Sequence, residues 1–265
     1  MQSPRLPAPQ QVVAPPSWEC IDFISDLHLS ADTPIAFAAL QRYVFGTRAD
    51  AIFVLGDLFD AWVGDDSRHH GFEAEATQVL TRAASNRTIA FMAGNRDFLL
   101  GEAMLGDCGV ARLNDPTLLT AFGERTLLTH GDAWCVDDVA YQKFRVQVRS
   151  PDWQAQVLAL PLAERREMAK SLRSESERNL MAHTGPWVDV DCATAIAAMR
   201  GAGAATLVHG HTHRPGTAPI AQGLTRHVLS DWELDQATAP RAEVLRWQRS
   251  GWSRLSPQDA ARVAR

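Results

Sequence analysis

Cys20-Ile-Asp-Phe-Ile-Ser-Asp-Leu-His28 is a short apolar run that stops on an aspartate and a histidine. The same syntax returns further along the chain. Ala51-Ile-Phe-Val-Leu55 runs into Gly56-Asp57, and Thr88-Ile-Ala-Phe-Met-Ala93 runs into Gly94-Asn95-Arg96-Asp97. Arg125-Thr-Leu-Leu-Thr129 ends in His130-Gly131-Asp132, and Ala204-Ala-Thr-Leu-Val208 ends in His209-Gly210-His211-Thr212-His213. Runs of about four to eight β-branched and aromatic residues bounded by glycine read as strands. Between them lie stretches of helical character: Thr33 to Phe45, opened by Asp32-Thr33-Pro34 as a cap, then Phe72 to Ala84, and later Cys192 to Met199. Thr225-Arg-His-Val-Leu229 and Ala242-Glu-Val-Leu-Arg-Trp247 read as further strands. Strands alternating with helices predict an α/β sandwich of β-sheets flanked by helices.

The composition bounds the rest. With 265 residues, 46% hydrophobic and 22% charged, the chain matches an ordinary globular protein and not a disordered, collagen-like or coiled-coil one. A net charge of −5 gives no overall basic field of the kind that attracts nucleic acid. No stretch approaches the ~20 consecutive apolar residues of a membrane-spanning helix. Met1 to Trp18 is rich in Pro, Gln and Ala, lacks the apolar centre of a secretory signal, and reads as a flexible tail. Cys20, Cys108, Cys135 and Cys192 are scattered without a Cys-x-x-Cys pair, the usage of reduced thiols in a cytosol. The expected organisation is a tail over 1–18, a single domain over 19–250 and a second tail over 251–265.

From Tyr141 to about His183 the strand syntax stops. Trp153, Val157, Leu158, Leu160, Leu162, Met168, Leu172 and Leu180 alternate there with Arg165, Arg166, Lys170, Arg173 and Arg178. This predicts a helical insertion. The commoner use of such a pattern is an amphipathic helix pair lying on the sheet; alternatively, its aliphatic side chains suit an acyl chain and its cations suit phosphate or anionic headgroups.

In open α/β sheets, ligands bind at the carboxyl ends of strands. Asp26, His28, Asp57, Asn95, His130, His211 and His213 all fall at such ends. Each alone is weak evidence, because a lone Gly-Asp usually marks a turn. Together they supply the oxygen and nitrogen donors that two metal ions need, with positions left for water and substrate. The absence of cysteine donors argues against a structural zinc site, and the share of oxygen donors favours Mn²⁺ over Fe²⁺ or Zn²⁺.

At these residues the sequence resembles the calcineurin-like metallophosphoesterases, whose blocks are Asp-x-His, Gly-Asp, Gly-Asn-His, a lone His and Gly-His-x-His. The resemblance covers about residues 20–235. It implies that Asp26, His28, Asp57 and His213 hold one ion while Asp57, Asn95, His130 and His211 hold the other, with Asp57 bridging. Arg96 departs from the superfamily's usual histidine after Asn95. An arginine grips phosphate oxygens but supplies no acid near neutral pH, so the leaving group should need little protonation. A diphosphate substrate meets that condition.

Phe23 to Leu29, Gly56 to Asp66, Gly94 to Gly101, His130 to Asp132 with Asp137-Asp138, and Gly210 to Pro215 further resemble the UDP-2,3-diacylglucosamine diphosphatases of lipid A biosynthesis. That resemblance implies Mn²⁺-dependent hydrolysis of UDP-2,3-diacylglucosamine to UMP and 2,3-diacylglucosamine 1-phosphate. It also implies a cytoplasmic protein, peripheral to the inner membrane, with the insertion over about 141–183 as a helical cap. Asp57, Asn95 and Arg96 are then the expected catalytic residues, and Asn95, Arg96, Asp138, Ser176, His183 and His211 the expected substrate contacts. At two contact positions the chain departs from the family, with Leu180 for its Asn and His183 for its Lys; Asn179 and nearby basic residues are the available substitutes. A monomer without nucleic-acid partners is expected. Two other readings compete: a phosphodiesterase acting on nucleotides or nucleic acid, which should show a basic track with aromatic platforms, and a silent scaffold, which should have lost ligands. Asp132 and Asp138 read equally well as loop caps, Asp60 and Asp66 as loop residues, and Arg96 as a partner of Asp97. His209 and the pair His69-His70 are not counted as ligands, and Trp62 and Trp232 read as core.

Overall fold

The protein is described from a computed structural model covering residues 7–182, 188–236 and 238–262, without the side chains at 175–177 and 179–182. Its first half runs β1 (Gln10–Val13), β2 (Cys20–Ile24), α1 (Pro34–Gly46), β3 (Ala51–Leu55), α2 (Gly71–Ala84), β4 (Thr88–Met92), α3 (Glu102–Cys108), β5 (Ala111–Leu113), β6 (Thr117–Ala121) and β7 (Glu124–Thr129). The stretch read as an insertion folds as α4 (Val139–Val148), α5 (Pro151–Leu158) and α6 (Leu162–Ala182). Then come α7 (Cys192–Ala202), β8 (Thr206–His209), β9 (Gly216–Ala221), β10 (Leu224–Val228), β11 (Val244–Gln248), β12 (Gly251–Leu255) and α8 (Pro257–Arg262).

The strands form two six-stranded sheets, ordered β1-β6-β7-β8-β10-β9 and β12-β11-β2-β3-β4-β5. Period-two alternation decides which face of each strand meets what. Ile21, Phe23, Ala51, Phe53, Leu55, Ala90 and Met92 point inward and meet Leu119, Leu128 and Val208 of the other sheet. The alternate residues Ile24, Ile52, Val54, Ile89 and Phe91 point outward into a second cluster with α1, α2, α3 and Ala260 of α8. On the far side, Ala195 and Met199 of α7 cover Leu118, Leu127 and Leu207. The order of layers is helix, sheet, sheet, helix. Parallel strands buried on both faces need continuous apolar runs, and β2, β3 and β4 have them.

Both expected tails turn out to hold sheet. Gln10–Val13 pairs in parallel with β6, and the Gln10 side chain accepts the Asn114 N–H at 2.6 Å. Gly251–Leu255 pairs with β11, and Trp252 stacks on Trp247 at 4.7 Å between centroids. An edge strand needs only one good neighbour, so Gln-Gln-Val-Val carries little hydrophobic signal of its own. At α1, Thr33 stands at the cap as expected, but its hydroxyl accepts the Ser30 N–H; the helix's own Ile35 and Ala36 N–H groups donate to the Asp235 carboxylate at 2.8 and 3.0 Å. A carboxylate from some 200 positions away caps a helix as well as a local one, because the donors are the same.

One buried ion pair ties the helical layer to its sheet. Asp22, fully buried on β2, accepts from Arg246 Nε at 2.7 Å and Nη2 at 2.8 Å, and from the hydroxyls of Tyr43 and Thr47 at 2.9 and 3.1 Å. Arg246 also donates to the carbonyl of Ala260, so β2, β11, α1 and α8 share one network. Removing one partner leaves the other charge uncompensated in the core. Asp22→Ala should therefore cost about 3–5 kcal/mol in urea unfolding, and a loss under about 1 kcal/mol would show that the pair is stabilised by solvent instead.

Candidate metal centre

The loops leaving β2, β3, β4, β7 and β8 converge at one end of the seam between the sheets. Their backbones are strained in a common way. Asp26, His28, Asp57, His211 and His213 have φ of 55°, 48°, 53°, 65° and 52°, and among the described non-glycine residues only Phe122 shares this left-handed region. Such conformations cost on the order of 1–3 kcal/mol each and persist where the surroundings enforce them.

The glycines of the motifs follow from crowding. A Cβ on Gly94 would collide with the Asp57 carboxylate, one on Gly56 with the His130 ring, and one on Gly210 with Ser25 and Asp26. Asp97 braces the same loops. Wholly buried, its carboxylate accepts the N–H groups of Gly94 at 2.8 Å and Leu58 at 2.7 Å, with Asp57 and Phe59 at 3.3 and 3.4 Å. Asp97 therefore has a different partner from the one weighed in the sequence: Arg96 lies 3.6 Å from Asp60 instead.

All seven candidate ligands gather here. Asp26, Asp57 and His130 are buried, with ligand atoms within 4.8 Å of one another, while His28, Asn95, His211 and His213 are half-buried at the opening. In one half, His28 Nε2 and His213 Nε2 lie 3.2 Å apart, and His213 Nε2 is 3.4 Å from Asp26 Oδ1. In the other, Asn95 Oδ1 is 3.0 Å from His130 Nε2 and 2.8 Å from His211 Nδ1, with Asp57 Oδ2 3.8 Å from His130 Nε2. The Leu55 carbonyl can only accept, so His130 Nδ1 must carry the proton at that 2.8 Å contact. Protonated at Nε2 as well, His130 donates to the carbonyl oxygen of Asn95, and a bound cation would take that proton's place between the two donors. The donor set of clustered buried carboxylates, imidazole nitrogens and one amide oxygen fits divalent metal ions on this ground.

Comparison with known proteins agrees. Residues 21–215 match the calcineurin-like phosphoesterase family. A UDP-2,3-diacylglucosamine hydrolase of Chromohalobacter salexigens is 41% identical over 226 residues, 83% of this chain and 92% of that one. Proteins of the same name from Chromobacterium violaceum and Bordetella parapertussis are 43% and 41% identical, over 80% and 86% of this chain and 90% and 91% of theirs. The chain belongs to the calcineurin-like phosphoesterase family. It is a metal-binding hydrolase of that family, whose members carry a dinuclear divalent-metal site.

Within a phosphoesterase of this kind, the surrounding side chains sort into supports. Asp138 caps α4 by accepting the Tyr141 N–H at 2.9 Å. Asp66 binds Arg165 through both carboxylate oxygens, and Arg165, 4% exposed, also donates to the carbonyls of Val63 and Leu160. Arg166 pairs with Glu73, Arg173 with Asp60, and Lys170 with Glu167. Four of the cations expected to wait for phosphate or headgroups thus have acidic partners within the protein. Val157, expected to face an acyl chain, is buried, whereas Leu158 is 43% exposed. Trp62 and Trp232 are core, His209 is buried with Nδ1 2.8 Å from the Gly210 carbonyl, and His69 and His70 are exposed. His183 and the side chains of Ser176, Asn179 and Leu180 lie outside the described residues. Asp97, Asp132 and Arg165 are the supports that the sequence reading undervalued. An aspartate three residues after a strand-end glycine is a turn signal that points to Asp97.

The electrostatics favour ligands stripped of protons. Burial lowers His28 to about 3 and His211 to about 4, keeping both imidazoles neutral. Burial disfavours charge on Asp26, but its hydrogen bond to His213 and the other nearby imidazoles outweigh that and hold it below the usual carboxylate range. Burial, with Asp97 and Asp26 near, pushes Asp57 up to about 7 against the pull of His130. Burial opposes charge on His130 too, yet Asp57, Asp132 and Asp26 push it up to about 9. The metal-free centre therefore holds protons at neutral pH that a metal must displace. Since the displaced groups are protonated below about 7 and about 9, apparent Mn²⁺ affinity should rise as pH is raised through that range and level off above it. Calorimetric titration in buffers of differing ionisation enthalpy reads the proton release; a pH-independent affinity without release would refute it.

Proposed function

We propose that this chain hydrolyses the diphosphate bond of UDP-2,3-diacylglucosamine, giving UMP and 2,3-diacylglucosamine 1-phosphate. The observation that carries the reading is the convergence of seven donors at strand ends beside Arg96, five of them left-handed, in a chain similar over most of its length to hydrolases of that name. In this reading Asp26, His28, Asp57 and His213 hold one ion, Asp57, Asn95, His130 and His211 hold the other, and Mn²⁺ is the metal. Bound ions supply an activated water and neutralise charge on phosphate. The protein's own groups do the rest. Asp57 gives Oδ1 to the Arg96 backbone N–H at 2.8 Å, which fixes the carboxylate plane, and the Arg96 guanidinium is left half-exposed at the opening. Its fork is suited to gripping phosphate oxygens as charge builds on the leaving phosphate.

The cap reading is narrower than the sequence suggested. Val139, Val146 and Leu158 are 59%, 72% and 43% exposed, and these apolar side chains on α4 and α5 support contact with a lipid surface or acyl chain. Attachment in this reading is peripheral, at the cytoplasmic face of the inner membrane; among the described residues no helix is long and apolar enough to cross a membrane. Asp138, Ser176, His183, Asn95, Arg96 and His211 remain the proposed substrate contacts.

Purified protein should release UMP from UDP-2,3-diacylglucosamine with Mn²⁺ and stop when chelator is added; Asp57→Ala should abolish release, because the shared carboxylate is lost. Full activity in thoroughly chelated enzyme, or no turnover of this substrate with Mn²⁺, would refute the assignment. Arg96→Ala should lower turnover by roughly 10²–10³-fold, the scale for loss of one donor to a developing oxyanion. Recovery of near wild-type turnover in Arg96→His would show that the position supplies a proton and not a fork.

A further inference from the structure

The structure assigns Asp132, together with Arg145 of α4 and Arg149 at that helix's C-terminal cap, the task of positioning one half of the metal centre. The inference rests on the reading that Asp57, Asn95, His130 and His211 hold an ion. Asp132 is wholly buried on the turn that follows His130. Its Oδ2 accepts the Tyr141 hydroxyl at 2.6 Å and Arg145 Nε at 2.8 Å, with Arg149 Nη2 at 3.8 Å, and its backbone carbonyl accepts Gln142 Nε2 at 2.8 Å. Its Oδ1 is buried without a hydrogen-bond partner.

These contacts reach the three ligands of that half that do not bridge. Asp132 follows His130 through Gly131, whose φ of 113° leaves no other residue comfortable there. Arg149 Nη2 donates to the carbonyl of Gly94 at 2.8 Å, next to Asn95. The Tyr141 ring sits 6.0 Å from the His211 ring, which lies 5.2 Å from that of His130. The opening helix of the cap is therefore a wall of the metal centre as well as part of a cover. Charge adds to geometry. Two guanidiniums stand beside a site that must accept a dication, and Asp132 is the buried carboxylate that offsets them.

Removing the charge while keeping the shape should loosen this half alone. Chelated protein, reloaded with Mn²⁺ and followed by electron paramagnetic resonance, distinguishes two exchange-coupled ions from one isolated ion. Wild type should take up two coupled ions. Asp132→Asn should hold one ion tightly with an uncoupled signal, recovering coupling only at ten-fold or more higher Mn²⁺. Asp66→Asn, which loosens the cap at its Arg165 anchor, should keep both ions coupled. Coupled ions at wild-type affinity in Asp132→Asn would overturn the inference, as would equal loss in Asp66→Asn. If thermal melting shows that Asp132→Asn does not fold, Arg149→Gln and Tyr141→Phe take its place, and wild-type affinity in both overturns the inference. Failure of the wild type itself to hold a coupled pair would fell the ligand reading beneath it.

Discussion

Atoms that repel one another are crowded at the seam between the two sheets. The carboxylates of Asp26 and Asp57 are 0% and 1% exposed, and the ring nitrogens of His130 and His211 both lie within about 3 Å of the Asn95 amide oxygen. Left alone, such a cluster would separate or take up protons, as the raised affinity of Asp57 and His130 for protons attests. The surrounding protein prevents separation. Strain at five left-handed residues, at ~1–3 kcal/mol each, is of the same order as the ~5–15 kcal/mol of net stability that a whole domain retains. The continuous apolar cores on either face of β2, β3 and β4 must therefore be large for the centre to exist at all. A bound cation then relieves the repulsion that the fold has imposed.

The two buried aspartate braces show how the chain keeps its own cations away from that place. Asp22, on the face of β2 remote from the seam, is neutralised by the Arg246 guanidinium. Asp97, beside Asp57, is held by backbone N–H groups alone. A guanidinium there would compete with a metal for the Asp57 carboxylate, whereas N–H dipoles orient the loops without contributing a full positive charge. Burial accordingly raises Asp97 above the ordinary carboxylate range, in the metal-free state, by more than its hydrogen bonds lower it. Where arginines do approach, from α4, they come paired with Asp132.

What was legible in the sequence was whatever the central constraint writes locally. A strand buried on both faces must be an apolar run, and a backbone that passes close against a candidate ligand must carry glycine there, so β2, β3, β4, β7 and β8 announce themselves with their candidate ligands. β1, β5, β6, β9 and β12 are not among the runs that read as strands, and all but β6 are edge strands that answer to a single neighbour: Gln-Gln-Val-Val is half-exposed, and Gly251–Leu255 pairs only with β11, where Trp252 stacks on Trp247. The supports were harder still. Asp97 and Asp132 look like turn residues in sequence, and only folding shows which N–H or guanidinium each receives.

The arginines of the 141–183 stretch illustrate the same limit from the side of charge. A row of cations among aliphatics reads equally as a lipid-facing helix or as one leaning on an acidic surface, because periodicity does not reveal what lies opposite. Here the opposite surface is the loop and helix that follow the Gly56-Asp57 motif. Asp60, Asp66 and Glu73 meet Arg173, Arg165 and Arg166 in turn. Of these pairs only Arg165 with Asp66 is bidentate with its arginine buried, so it is the fixed point, while the 46% exposure of the Arg173 side chain leaves that contact open to water and salt. The acidic residues trailing the bridging motif thus acquire a reason. They hold α6 against that loop and helix at graded strength, firmly near α5 through the buried Arg165 and with more exposure to solvent toward Arg173.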